Sequence, residues 1–182
     1  MKERPTIQTD RLVLRPFTLA DAPDVQRLAG DRDIASTTSN LPHPYEDGMA
    51  EQWIGTHQER YENGELVNSA IVLRSNESLV GCISLRINQQ HSNAELGYWI
   101  GKPYWSKGYC TEAAKAVIKH GFGRLDLNRI HARHFKRNPA SGRVMEKIGM
   151  VYEGCQRQGV LKWGVFEDLE LYGTLKSDYE LQ

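Results

Sequence analysis

The chain has 182 residues, of which 40% are hydrophobic and 25% charged, and its formal net charge is zero. This length and composition predict one domain, residues 1–182, with a sizeable core, and they exclude a disordered chain. The neutral balance gives no reason to expect nucleic acid or a membrane surface as a partner.

The first third of the chain predicts one strand and two helices. Residues 11–17 (RLVLRPF) alternate apolar and polar side chains, as a half-buried strand does. Thr18 and Gly30 are suited to the two ends of a first helix. The polar segment 34–47 contains two prolines and predicts an irregular loop, and a second helix is expected over residues 48–61.

Three strands and a third helix occupy the middle of the chain. Residues 67–74 and 79–87 are rich in β-branched side chains, and the turn residues between them predict a hairpin. Residues 93–100 predict a further strand. The next helix is expected from Thr111 to about His120.

The last third predicts a strand at 129–134, a helix at 138–149 and two long antiparallel strands at 150–161 and 165–175. The complete order contains seven strands and four helices. It predicts a three-layer α/β or α+β fold with a mixed sheet.

A short glycine-containing loop, residues 105–110 (WSKGYC), lies between a predicted strand and a predicted helix. Backbone N–H groups that converge where a helix begins can hold an anion, and the helix dipole assists them. Gly108 can adopt backbone angles closed to other residues, Cys110 is small enough for close approach, and Thr111 can cap the helix. The loop predicts either a phosphate site or an ordinary strand–loop–helix connection. No P-loop or dinucleotide-binding glycine pattern occurs in the sequence.

In combination, these motifs resemble the GNAT superfamily of acyl-CoA-dependent N-acetyltransferases, and within it the RimJ/RimL-like branch of ribosomal-protein N-terminal acetyltransferases. Residues 105–110 match the family's Q/R-x-x-G-x-G/A loop at Gly108, with Trp105 and Cys110 departing from it. Met145 stands where many members carry a tyrosine as general acid. The family's N-x-x-S-x-x-x-x-E-K-x-G stretch corresponds to Asn138, Ser141, Glu146, Lys147 and Gly149. The resemblance extends from residue 9 to about residue 174.

The resemblance implies a GNAT-like three-layer α/β (α+β mixed) fold. Its central sheet would be mixed, mostly antiparallel and roughly seven-stranded, flanked by about four helices. A β-bulge in strand 93–100 would splay that strand from the next one and open a slot for the cofactor's pantetheine arm.

The resemblance also implies acetyl-CoA as the acetyl donor, with no metal. Asn138 has a second interpretation as a helix cap. The basic residues Arg133, Lys136, Arg137 and Arg143 could meet the cofactor's phosphates, although most are expected to be solvated. The residues implied to contact the donor are Trp99, Ile100, Lys107, Gly108, Tyr109, Cys110, Thr111 and Asn138.

Two residues are expected to carry the chemistry. Glu95 is the predicted general base, acting through a water, and the strand period places it on the same face as Gly97 and Trp99. Its alternative is a surface carboxylate. Ser141 is implied by the RimL-like branch to protonate or orient the departing thiolate, and its alternative is a first-turn helix serine.

The expected acceptor is an amine, most simply a protein N-terminal α-amine. A small cationic amine such as a polyamine or aminoglycoside is an alternative, because residues 10–65 contain eleven Asp or Glu against five Arg and no Lys. A CoA-binding regulatory module without catalysis is a third possibility. His43, Tyr45 and Trp163 are the predicted wall residues of the acceptor site.

The cysteines and the first residues of the sequence indicate the cellular compartment. Three widely spaced cysteines argue against a disulfide framework or a structural zinc site. Residues 1–10 lack the hydrophobic centre of a signal peptide, which predicts a cytoplasmic protein. The long C-terminal strands offer an edge through which a homodimer could form.

Overall fold

The structure, a computed structural model, describes residues 2–180 and contains an eight-stranded sheet. The strands lie side by side in the order β1-β2-β3-β4-β5-β6-β8-β7. Neighbouring strands are antiparallel except for β5 and β6, which are parallel. Their bounds are β1 (Ile7–Gln8), β2 (Leu12–Arg15), β3 (Leu66–Leu73), β4 (Leu79–Asn88), β5 (Asn93–Ile100), β6 (Arg129–Phe135), β7 (Val151–Lys162) and β8 (Val165–Leu175).

Helices cover both faces of this sheet and give it three layers. One face carries the helices of the first third of the chain, and the opposite face carries the two longest helices. The bounds are α1 (Ala22–Ala29), α2 (Arg32–Thr37), α3 (Met49–Gly55), α4 (His57–Glu62), α5 (Tyr109–Gly123), α6 (Pro139–Lys147) and α7 (Lys176–Glu180). Within residues 2–180, no helix combines the length and the hydropathy needed to span a membrane.

Two hydrophobic clusters fill the space between the layers. In β5, Ala94, Leu96 and Ile100 contact the cluster that includes α5, whereas Trp99 contacts the cluster of α1 and α3. This alternation follows from the two-residue period of a strand. Strand β5 therefore contacts a hydrophobic cluster on each face, and Glu95 lies on the face of α1 and α3.

The fold class is confirmed, with small differences in the number of elements. The extra strand is β1, which is only two residues long. Helix α2 lies partly inside the segment predicted as a loop, because the Asp31 carboxylate accepts a hydrogen bond from the Asp33 N–H and Ile34 is buried. The helix predicted over residues 48–61 is divided into α3 and α4 at Thr56.

Strand β7 forms one edge of the sheet, and most of its residues are exposed. An exposed edge leaves backbone N–H and C=O groups without strand partners. The homodimer expected through this edge stays a prediction.

Candidate active site

A slot opens between β5 and β6 because their pairing ends early. The parallel ladder covers only the three rungs from Asn93↔Arg129 to Glu95↔His131. Beyond the last rung, β5 continues along β4 to Ile100, while β6 continues along β8. The free edge of β5 is therefore about 17 Å long, for five residues at a strand rise of about 3.3 Å each.

The splay of β5 from β6 occurs without the predicted bulge. The β4–β5 register runs without a shift from Gly81↔Ile100 to Asn88↔Asn93. Because Gly101 donates to Val80 O at 2.8 Å, the alternation of an antiparallel ladder turns the backbone of Trp99 toward β4. The same alternation turns the backbones of Tyr98 and Ile100 toward the slot. Trp99 and Ile100 are the two β5 residues implied to contact the donor, and only Ile100 lies with its backbone on the slot edge.

Trp105, the main departure from the family's loop pattern, has a structural role. Its indole Nε1 donates a hydrogen bond to Ile100 O at 2.6 Å. The bond joins the start of the loop to the end of β5. Trp105 thereby fixes where the loop leaves the strand.

The loop ends at a helix start that can accept an anion. Helix α5 begins at Tyr109, and Gly108 precedes it with φ 79°, in the left-handed region that favours glycine. The first N–H groups of a helix have no partner within it, so those of the Gly108–Thr111 turn are available to a ligand. Thr111 lies within this first turn and is not the cap that the sequence predicted.

Hydrogen bonds from the segment before β2 also stabilise this turn. Arg11 donates from Nη1 to Lys107 O at 2.9 Å and from Nε to Glu112 Oε2 at 2.6 Å. Thr9 donates to the same carboxylate at 2.6 Å. Burial would raise the pKa of Glu112, but the hydrogen bonds from Thr9 and Arg11 outweigh it and the pKa lies below its usual value.

The side chains in the loop differ in what they contact. Arg11 lies over the Tyr109 ring, and Lys107 Nζ lies 5.6 Å from the Tyr104 ring centroid. Burial raises the pKa of the Cys110 thiol. A nucleophilic thiolate is therefore disfavoured, and Cys110 is best explained as a small residue that fills the turn.

Helix α6 brings Asn138 and Ser141 to the other side of the slot. Asn138 is the residue before the helix, but its side chain makes no capping hydrogen bond. The amide of Asn138 is thus available for a ligand. The Ser141 hydroxyl lies 2.7 Å from the hydroxyl of Tyr98 on β5, a contact that the sequence did not predict.

Glu95 lies at the closed end of the slot, on the last paired rung. Its carboxylate meets Arg133 Nε at 2.9 Å and Arg86 Nη1 at 3.6 Å. Its rung partner is His131, whose pKa is lowered by burial despite the neighbouring Glu95. Arg86, Glu95 and His131 line an open recess of about 520 Å³, and its other lining residues are Glu65, Ile87, Asn88, Gln89 and Asn93.

The predicted acceptor residues are only partly brought together. The His43 and Trp163 rings lie 5.8 Å apart, where loop 38–48 meets the β7–β8 turn. The buried side chain of Lys162 links the β7–β8 turn to loop 38–48, because its Nζ donates a hydrogen bond to Leu41 O at 3.2 Å. Tyr45 instead packs against the α1 and α3 cluster, and burial raises its pKa. None of the three predicted residues lines the recess that contains Glu95.

The basic segment 124–147 is largely neutralised. Within it, Arg129 pairs with Glu153, Arg133 with Glu95, Lys136 with Asp168 and Arg137 with Glu167. Three of the four residues considered for the cofactor's phosphates therefore have carboxylate partners. The fourth, Arg143, lines a smaller recess of about 240 Å³ beside α6.

The complete fold matches that of a solved acetyltransferase. A crystal structure of a GNAT-family acetyltransferase from Bacillus anthracis superposes with a TM-score of 0.84 at 28% sequence identity. The match covers 95% of this chain and 99% of that one. The fold therefore assigns the protein to the acetyltransferases.

Sequence comparison assigns the family. The acetyltransferase (GNAT) domain matches residues 11–151, so the chain belongs to the GNAT family and is an acyltransferase. A Bacillus subtilis protein named uncharacterized N-acetyltransferase YoaA is 31% identical over 173 residues, which is 94% of this chain and 97% of that protein. The ribosomal-protein-serine acetyltransferase of Escherichia coli is 30% identical over 100 residues, covering 54% of this chain and 56% of that protein. The RimJ/RimL-like resemblance is confirmed.

Proposed function

We propose that the protein transfers an acetyl group from acetyl-CoA to a primary amine, and that the acceptor is a protein N-terminal α-amine. The observation that carries this proposal is the slot between β5 and β6. One end of the slot lies near the start of α5, where free backbone N–H groups can bind an anion, and the other end lies at Glu95. An acyl donor with a phosphate at one end and a thioester at the other has matching chemistry at the two ends of such a slot.

The residues present fit the donor. The N–H groups of the Gly108–Thr111 turn are suited to its pyrophosphate. The slot-facing backbone of Tyr98 and the N–H of Ile100 are suited to its amides, since Ile100 O already accepts from Trp105. Asn138 is a further partner for the pantetheine arm, since its side chain does not cap α6. Acetyl-CoA supplies an acetyl group activated as a thioester.

The reaction requires one proton to leave the amine and one to reach sulfur. Glu95 takes the amine proton through a water as nitrogen attacks the carbonyl carbon. The C–S bond then breaks with its electron pair on sulfur, and Ser141 gives sulfur a proton that it regains from solvent. Glu95 releases its proton to solvent, so the products are the acetylated amine and the free thiol.

Two observations favour a protein acceptor over a small polycation. Several acids of residues 10–65 are paired, with Asp21 bound to Arg15 and Asp33 bound to Lys102. The predicted acceptor wall is cationic, because Arg32 and Lys162 both lie against the Trp163 ring. The ribosomal-protein relative from Escherichia coli supports the same choice.

The test is a Glu95→Gln variant assayed for acetyl transfer with a panel of N-terminal peptides and small amines. We expect kcat to fall by about a hundredfold or more, because general base catalysis contributes about 10²–10⁴. The Kd for acetyl-CoA, measured by calorimetry, should stay unchanged.

The matched control is Glu153→Gln, which removes a carboxylate paired with Arg129 outside the recess. It should retain wild-type kcat. Unchanged turnover in Glu95→Gln would remove Glu95 from the mechanism. A wild-type protein that binds CoA and modifies no acceptor in the panel would favour the regulatory module instead.

A further inference from the structure

Tyr98 and Ser141 form a hydroxyl pair across the slot. The Tyr98 hydroxyl lies 2.7 Å from Ser141 Oγ and 3.2 Å from Ser141 O. Tyr98 belongs to β5 beyond its last rung with β6, and Ser141 belongs to the first turn of α6. The pair therefore joins the two elements on either side of the slot, at a level where β5 and β6 no longer pair.

The direction of the hydrogen bond decides what Ser141 can do. Each hydroxyl carries one proton, and a donor bond from tyrosine to Ser141 Oγ leaves the serine proton free. The 2.7 Å distance to Oγ is the usual length of an O–H···O bond, whereas the carbonyl is farther away. Either hydroxyl can donate across the 2.7 Å contact, but the Ser141 carbonyl can only accept, so Tyr98 is the donor toward the two oxygens of Ser141. Burial raises the pKa of Tyr98, so the phenol keeps the proton that it donates.

A serine without this partner would lose its fixed orientation. Serine hydroxyls in a first helical turn rotate among three rotamers or bond to nearby backbone carbonyls. The Tyr98 ring packs against the core cluster of α5, which holds its hydroxyl in place. A rigid donor on a strand thus fixes a mobile hydroxyl on a helix.

We propose that Tyr98 is a positioning residue for acetyl transfer, which orients Ser141 so that the serine proton points into the slot toward the departing sulfur. This inference rests on the proposed function. When the C–S bond breaks, its electron pair goes to sulfur and the proton comes from Ser141 Oγ. Tyr98 keeps its own proton throughout, and solvent restores the serine.

The test compares Tyr98→Phe, Ser141→Ala and the double variant in steady-state acetyl transfer. Tyr98→Phe keeps the packed ring and should lower kcat by about tenfold, the effect of one lost hydrogen bond, with the KM for acetyl-CoA within about twofold. Ser141→Ala should lower kcat at least as much. The double variant should be no slower than Ser141→Ala, because Tyr98 acts only through that serine.

The control is Tyr172→Phe, which removes a hydroxyl near Glu146 from the same core cluster. It should retain wild-type kcat and KM. Wild-type kcat in Tyr98→Phe would overturn the inference, as would additive losses in the double variant. A raised KM and a lowered Tm with unchanged kcat would show a purely structural tie and would also overturn it.

Failure of the proposed function has a different signature. A wild-type protein without turnover on any amine refutes that function, and this inference with it. An active wild-type protein whose Tyr98→Phe variant is equally fast refutes the inference alone.

Discussion

At the scale of single residues, a substitution at Gly108 tests the effect of backbone strain, because the added Cβ would meet no steric clash. A Cβ built there would lie 3.4 Å from Arg11 Nη2, an ordinary contact, but the φ of 79° is unfavourable for any other residue. Gly108→Ala should cost about 1–2 kcal/mol of local strain and weaken acetyl-CoA binding by about tenfold, because the free N–H groups would move. Calorimetric Kd values check this.

The control is Gly123→Ala at the other end of α5. A Cβ there meets nothing within 4 Å, and its φ is not positive. Alanine favours helix, so this variant should bind acetyl-CoA normally and be slightly more stable. Equal affinity in both variants would contradict the assignment of Gly108 to the phosphate turn.

Residues of the candidate site differ in how far the sequence could predict them. Gly108 and Glu95 belong to local patterns, a turn and an alternating strand, so neighbours in the sequence are informative. Tyr98 and Arg11 act through partners 43 and 96 residues away, Ser141 and Lys107. No local pattern encodes such contacts, and only the folded sheet brings the partners together.

At the scale of elements, Glu112 joins the β1–β2 segment to the start of α5. Glu112→Gln should lower the free energy of unfolding at pH 7 by about 1–2 kcal/mol, because charge-assisted hydrogen bonds to Thr9 and Arg11 weaken. The pKa of Glu112 is lowered in the folded state, so its stabilisation is present above the unfolded pKa and is lost as pH falls through the folded pKa.

Urea denaturation at pH 7 and at pH 3 tests this tie. The stability difference between wild type and Glu112→Gln should shrink at the lower pH. Asp126→Asn is the control, since Asp126 pairs with Lys176 in an exposed ion pair that water screens, and its loss should leave the stability close to that of wild type. A stability difference between wild type and Glu112→Gln that does not change with pH would exclude the ionised carboxylate as its source.

Element boundaries were predictable where side chains alternate and less so where caps decide. Helix α5 starts at Tyr109 because Gly108 adopts a positive φ, whereas the sequence placed Thr111 at the cap. Helix α2 forms within a polar segment because Asp31 caps it and Ile34 finds a place in the core. Tertiary burial therefore overrode local composition.

At the scale of the whole molecule, the strand and helix order sufficed to predict three layers, because each element has one apolar face to bury. The slot was a different matter. It arises because β6 leaves β5 after Glu95↔His131 and continues along β8. The point where two strands separate depends on the twist of the complete sheet, which the alternation within β5 does not record.

Global stability should depend on pH through a buried histidine on the α1 and α3 face. His57 is 2% exposed, lies among Phe17 and Trp53, and meets Asn68 Nδ2 at 2.9 Å. Burial, assisted by the charges of Arg4 and Arg60, lowers the pKa of His57 from 6.5 to about 4. The folded state therefore disfavours the protonated imidazole.

The sign follows from which state binds more protons. Between pH 6.5 and about 4 the unfolded chain binds a proton at His57 that the folded protein does not, so stability falls as pH falls through this window. The slope is at most about 1.4 kcal/mol per pH unit for one proton. His57→Gln keeps an acceptor for Asn68 without titrating, so its unfolding free energy should change less with pH. Urea denaturation from pH 7.5 to 4 should show this difference. The control is His91→Gln at an exposed position, whose stability should change with pH as that of wild type does. Parallel slopes for all three proteins would mean that His57 is not the titrating group.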